Sequence, residues 1–124
     1  MGMRGSLKAS FRYAWRGFRQ ALGRERNLRI HMVLAALALA LAYGLSLSRL
    51  EWALVVLCIG MVLVAELFNT TVESLVDLCQ EDYHPLAAAA KDVAAAGVLI
   101  AAVAALLVGG IVFIPRLGAI IRSF

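Results

Sequence analysis

Cysteine and proline are nearly absent from this chain, with two of each in 124 residues. Cys58 and Cys79 have neither metal-ligand spacing nor disulfide logic, so they read as packing residues or incidental thiols. Phosphate loops are missing as well. No GxxxxGKS, GxxxxGKT or GxGxxG run occurs, so a bound nucleotide would need helix-borne carboxylates, Mg²⁺ and scattered basic groups instead. His31 and His84 lie on separate segments, and no Ser/His/Asp or Cys/His set stands out. No apolar core follows closely on Met1, so a cleaved signal peptide is not expected and the N-terminus is expected to stay on the protein. Internal repeats and low-complexity linkers are also lacking.

What the chain has in abundance is apolar surface. Hydrophobic residues make up 63% of it, and the mean hydropathy is +0.87. That is too apolar for an ordinary soluble domain, and the chain is too short for two, so residues 1–124 are expected to form a single integral membrane domain. Three apolar runs, Ile30 to Leu47, Leu50 to about Leu67 and Ala94 to Ile114, each approach the roughly 20 residues that cross about 30 Å of hydrocarbon. The expected fold class is an all-α membrane protein, with a surface helix over about 6–25 and membrane helices over about 30–47, 50–78 and 92–114. Eight of the twelve basic residues (Arg4, Lys8, Arg12, Arg16, Arg19, Arg24, Arg26 and Arg29) precede the first span. By the positive-inside rule the N-terminus is cytoplasmic, which puts the Leu47 to Glu51 turn outside and the Cys79 to Asp92 connection inside.

Phe11, Trp15, Phe18 and Leu22 recur at helical spacing with Arg12, Arg16 and Arg19 between them. The pattern predicts an amphipathic helix on the inner membrane surface, either a simple anchor or a place where arginines meet lipid phosphates or a nucleotide.

The second span carries an unusual polar stripe. At 100° per residue Glu66, Asn69, Glu73 and Asp77 fall at about 0°, −60°, −20° and +20°, so they share one face. Burying charge in or near hydrocarbon costs several kcal/mol unless it is paired, neutralised or bound to a cation, and such a stripe marks a functional site. Counting from Leu50 at 1.5 Å per residue puts Glu66 about 24 Å across, near the cytoplasmic edge of the hydrocarbon, and Asp77 about 40 Å across. The stripe thus climbs out of the membrane. Glu66, the deepest carboxylate, suits general acid or base work or a structural hydrogen bond to a neighbouring helix. Asn69 and Thr70 can orient substrate hydroxyls or phosphate oxygens, or act as interhelical glue. Glu25 pairs locally with nearby arginines or faces Glu73, where two carboxylates and phosphate oxygens would hold Mg²⁺. Lys91 reads as a phosphate contact or as a snorkelling lysine paired with Asp92.

The stretch Glu66-Leu-Phe-Asn-Thr-Thr-Val-Glu-Ser-Leu-Val-Asp77, followed by Asp82-Tyr-His-Pro and by Lys91-Asp92 at the head of the next span, closely resembles the small prokaryotic diacylglycerol kinase and undecaprenol kinase family. The resemblance covers about Ser10 to Pro115, with Trp15, Gly17, Glu25 and Arg29 at matching offsets. It implies a homotrimer with active sites shared between subunits in the bacterial inner membrane, transferring the ATP γ-phosphoryl group to a lipid hydroxyl. It also implies that Glu66 is the general base, that Glu25 and Glu73 hold metal ions bridging the phosphates, and that Asp77, His84, Lys91 and Asp92 lie on the nucleotide side. Trp15, Glu66, Asn69 and Thr70 are then the candidate lipid contacts, and no nucleic acid partner is expected.

The Glu25-Arg-Asn-Leu-Arg-Ile-His31 segment and the Asp82 to Pro85 connection look more like the undecaprenol kinases than the diacylglycerol kinases. Undecaprenol is therefore the favoured acceptor, with diacylglycerol the alternative. A reading from a different class is a small proton- or cation-coupled transporter, but a transporter usually places its carboxylate near the midplane rather than at one edge.

Overall fold

A computed structural model describes residues 5–124, so Arg4, one of the eight basic residues counted above, lies outside the described residues. The described chain is all helical. Its elements are α1 (Leu7–Arg24), α2 (Arg26–Gly44), α3 (Arg49–Cys79) and α4 (Pro85–Arg122), and the last three are long and apolar enough to cross a membrane.

Helix α1 starts at Ser6, whose hydroxyl accepts from the Ala9 amide at 3.3 Å. A single extended residue, Glu25 (φ −103°, ψ 110°), separates it from α2. Arg29 fastens this joint: its Nη1 donates to the carbonyls of Leu22 (2.8 Å) and Gly23 (3.2 Å), which the end of α1 would otherwise leave unpaired. Leu28, fully buried, packs beneath the same joint.

At the far end of α2 the turn passes through Ser46 in the left-handed region (φ 54°) and into a capping box. Ser48 Oγ accepts from the Glu51 amide at 3.2 Å, and the Ser48 amide donates to Glu51 Oε1 at 3.0 Å. Glu51 also binds Arg116 of α4, accepting from Nη2 and, at 3.2 Å, from Nε. This ion pair staples the end of α4 to the start of α3. Beside it lies the main apolar cluster of Ala42, Leu45, Leu47, Val55 and Val112.

The third apolar run is the middle of a much longer helix. Expected over 92–114, it begins seven residues earlier at Pro85 and runs through Pro115 to Arg122. At its start His84 Nδ1 accepts from the Leu86 amide at 3.1 Å, and Pro85 occupies the first turn, where a missing N–H costs nothing. Pro115 removes one internal hydrogen bond, which a helix packed along a neighbour tolerates. The Arg116 anchor just beyond it holds that neighbour in place. Helix α2 likewise begins at Arg26, earlier than the apolar run it contains. Helices α3 and α4 pack along each other more extensively than any other pair. Large apolar side chains such as Leu37, Leu57, Leu99 and Leu106 remain exposed along the spans, as lipid-facing or subunit-facing positions would be.

Candidate active site

The stripe of α3 begins in the interior and ends in the open. Glu66 is 3% exposed and Asn69 is also buried, whereas Glu73 is half-buried and Asp77 is exposed. A carboxylate as enclosed as Glu66 needs a partner, and α2 supplies it. His31 Nε2 lies 3.2 Å from Glu66 Oε1, bridging 35 positions of sequence. Sequence reading allowed Glu66 a partner on a neighbouring helix but did not identify His31, which it set aside as lying on a separate segment from His84. The available signal was a titratable side chain at the start of an apolar span, which calls for a polar partner inside the bundle.

One turn further along, Asn69 Nδ2 donates to Glu73 Oε1 at 3.3 Å, which turns the amide oxygen away from the carboxylate. That oxygen, Asn69 Oδ1, and the neighbouring Thr70 Oγ1 are buried without a hydrogen-bond partner. Unpaired buried oxygens are costly, and their place beside two carboxylates marks them as groups that a ligand or another subunit completes.

At the outer end of the stripe Lys91 Nζ reaches back from α4 to Asp77 Oδ1 at 2.6 Å. The partner of Lys91 is therefore Asp77, not the adjacent Asp92, because the short connection after Cys79 brings the first turns of α4 antiparallel to the last turns of α3. Asp92 is exposed on the same helix.

Other candidates stand apart from this row. Glu25 occupies the α1–α2 joint, half-buried, and among the described residues it makes no ion pair with the surrounding arginines and no hydrogen bond to Glu73. Its backbone amide closes α1 by donating to Ala21 at 2.8 Å. His84 caps α4. Trp15 stacks loosely on Phe18, 6.2 Å between ring centroids, and borders a shallow depression of about 400 Å³ with Arg12, Arg16 and Arg19 on α1.

Among the described residues no three histidine, cysteine or carboxylate side chains gather into a metal cluster within one chain. The donor set nevertheless suits a hard cation. The half-buried Glu73 carboxylate lies beside the orphaned Asn69 oxygen, and Mg²⁺ takes one or two carboxylates with phosphate and water completing its shell.

Below Glu66 the bundle opens into an apolar groove of about 530 Å³ between α2, α3 and α4. Leu34, Val62, Ala105, Gly109 and Phe113 line it, and His31 stands at its polar end. The groove thus reaches the imidazole that faces the buried carboxylate.

Known proteins are similar to this chain in sequence. Residues 12–113 match the family model described as prokaryotic diacylglycerol kinase. The chain is 43% identical over 113 residues to a diacylglycerol kinase of Synechocystis sp., covering 90% of this chain but only 65% of that relative's length. It is 40% identical over 108 residues to an undecaprenol kinase of Bacillus subtilis, covering 87% of this chain and 88% of that one. A diacylglycerol kinase of Escherichia coli is 33% identical over 95 residues, with 77% and 78% covered. With α3 and the motif-bearing first turns of α4 inside the matched region, the chain belongs to the prokaryotic diacylglycerol kinase family of lipid kinases.

Proposed function

We propose that the chain is an ATP-dependent kinase of the bacterial cytoplasmic membrane that phosphorylates the terminal hydroxyl of undecaprenol. The observation that carries the kinase reading is the buried Glu66 beside His31, which lines the end of an apolar groove, with an oxygen-rich stripe leading away from it. The acceptor's tail lies in the groove, and its hydroxyl meets Glu66, which takes the proton as the oxygen attacks the γ-phosphorus. Asn69 and Thr70, with their unpaired oxygens, orient the hydroxyl and the phosphate beside it.

Glu73 and Glu25 are the proposed holders of Mg²⁺, which would neutralise phosphate charge there. Asp77, His84, Lys91 and Asp92 bind the nucleotide, and Lys91 exchanges its bond to Asp77 for one to phosphate. Such a sparse site suffices because phosphoryl transfer is largely positioning and charge neutralisation.

Helix α1 lies on the cytoplasmic membrane surface in this reading, with Trp15 near the lipid headgroups. Its exposed Phe11 and Trp15 beside Arg12 and Arg16 support that placement. The active unit is a homotrimer with shared sites. Support comes from the orphaned Asn69 and Thr70 oxygens, which a neighbouring subunit would complete.

Undecaprenol is proposed over diacylglycerol on the Glu25 to His31 segment and the Asp82 to Pro85 connection, since the similar proteins include kinases of both names. The deciding experiment is a side-by-side assay of both lipids in the same mixed micelles with Mg²⁺ and labelled ATP. A higher kcat/KM for undecaprenol is expected. A higher value for diacylglycerol makes the chain a diacylglycerol kinase, and no transfer to either lipid removes the kinase reading.

A further inference from the structure

His31 has no part in the chemistry described so far, yet it is the closest polar neighbour that α2 offers to Glu66. The two side chains come from different helices, and both are shielded, at 20% exposure for His31 and 3% for Glu66. At 3.2 Å an imidazole N–H at Nε2 is within reach of the carboxylate oxygen it faces. Water is largely excluded around Glu66, and among the described residues the imidazole of His31 is the one charged or polar side chain found within 4 Å of its carboxylate as an ion-pair partner. One carboxylate oxygen, Oε1, therefore faces the imidazole.

We infer that His31 is a positioning residue for the base: its Nε2–H holds Glu66 Oε1, and so leaves Oε2 turned to the acceptor hydroxyl. The inference rests on the reading of Glu66 as the base. In the transfer, the acceptor oxygen forms its bond to the γ-phosphorus. The bond from that phosphorus to the β,γ-bridging oxygen breaks, its electron pair leaves on the diphosphate, and the hydroxyl proton passes to Glu66 Oε2. A carboxylate on a long side chain has several rotamers, and only the one fastened to α2 keeps Oε2 at the boundary between groove and stripe. Because His31 also lines the groove, the group that orients the base touches the head of the lipid tail as well.

The test uses the full chain in mixed micelles, with kcat and KM measured for H31L, H31Q, E66Q and the H31L/E66Q double variant. Leucine keeps the bulk in an apolar groove but has no donor, whereas glutamine restores an N–H. If His31 positions Glu66, H31L lowers kcat by about 10- to 100-fold while the KM for Mg-ATP stays within about twofold, and H31Q regains most of the loss. In the E66Q background H31L then costs no more than about threefold further, since the group it positions is already disabled. H31A replaces H31L in the same comparison if the leucine variant does not fold.

A packing role alone predicts an active H31L and no advantage for H31Q, and that result overturns the inference. So does a full multiplicative loss in the double variant. Both outcomes leave an impaired E66Q, and with it the base reading, intact. E66Q at wild-type turnover instead removes the base itself, and the positioning role falls with it.

Discussion

Replacing Glu66 by glutamine separates the two ends of the stripe. The substitution keeps the side chain's volume and a carbonyl oxygen that can still accept from His31 Nε2, so the packing around a residue only 3% exposed is preserved. What disappears is the capacity to take a proton. General base catalysis by a positioned carboxylate contributes about 10²- to 10⁴-fold, which raises the barrier by about 2.7–5.5 kcal/mol. Asp77 lies eleven residues along the same helix from Glu66, or about 16 Å at 1.5 Å per residue. The Asp77–Lys91 pair is therefore untouched, and the KM for Mg-ATP should stay within about twofold. Glu66→Asp keeps the charge but withdraws it by one methylene, and a misplacement of about 1 Å costs about 10²-fold, so it should also be slow. The assay is initial-rate formation of phosphorylated lipid from labelled ATP, with lipid and nucleotide varied separately. Turnover of Glu66→Gln within about threefold of the unsubstituted chain would refute the assignment of Glu66 as base.

The remaining expectations concern the other parts of the site. Glu73→Gln should raise the Mg²⁺ concentration needed for half-maximal activity by about tenfold, in a titration at saturating ATP, and an unchanged requirement counts against a ligand role. Lys91→Ala removes the one cation seen on the stripe and should raise the KM for ATP by about tenfold with little change in saturated turnover, and a pure kcat effect would contradict a binding role. Ala105→Trp fills the groove below His31, and should raise the KM for lipid while leaving that for ATP in place. Equal lipid kinetics would show that the tail lies elsewhere.

Much of the fold was legible because each element carries its own period. Apolar runs near membrane length announced α2, α3 and α4, and 100° spacing put Glu66, Asn69, Glu73 and Asp77 on one face before any coordinates. Helix ends were harder. Hydropathy marks where a helix meets lipid, not where it stops, so α4 was expected over 92–114 although caps at His84 and Ser123 carry it well beyond the apolar run at both ends. Partners across helices were not legible at all. The pairing of Lys91 with Asp77 rather than Asp92 depends on how α4 folds back on α3, and that of His31 with Glu66 depends on which face of α2 turns inward.

The division follows from the range of the interactions involved. By itself the sequence determined a helical membrane chain with acids on one stripe, because helical periodicity and burial of apolar length are properties of consecutive residues. Only the tertiary structure decided that Glu66 is held by His31, that Arg116 staples α4 to Glu51, and that an apolar groove ends at the same imidazole. Those are contacts between residues 35 or more positions apart. Their geometry is set by helix packing and rotation, which no local pattern encodes.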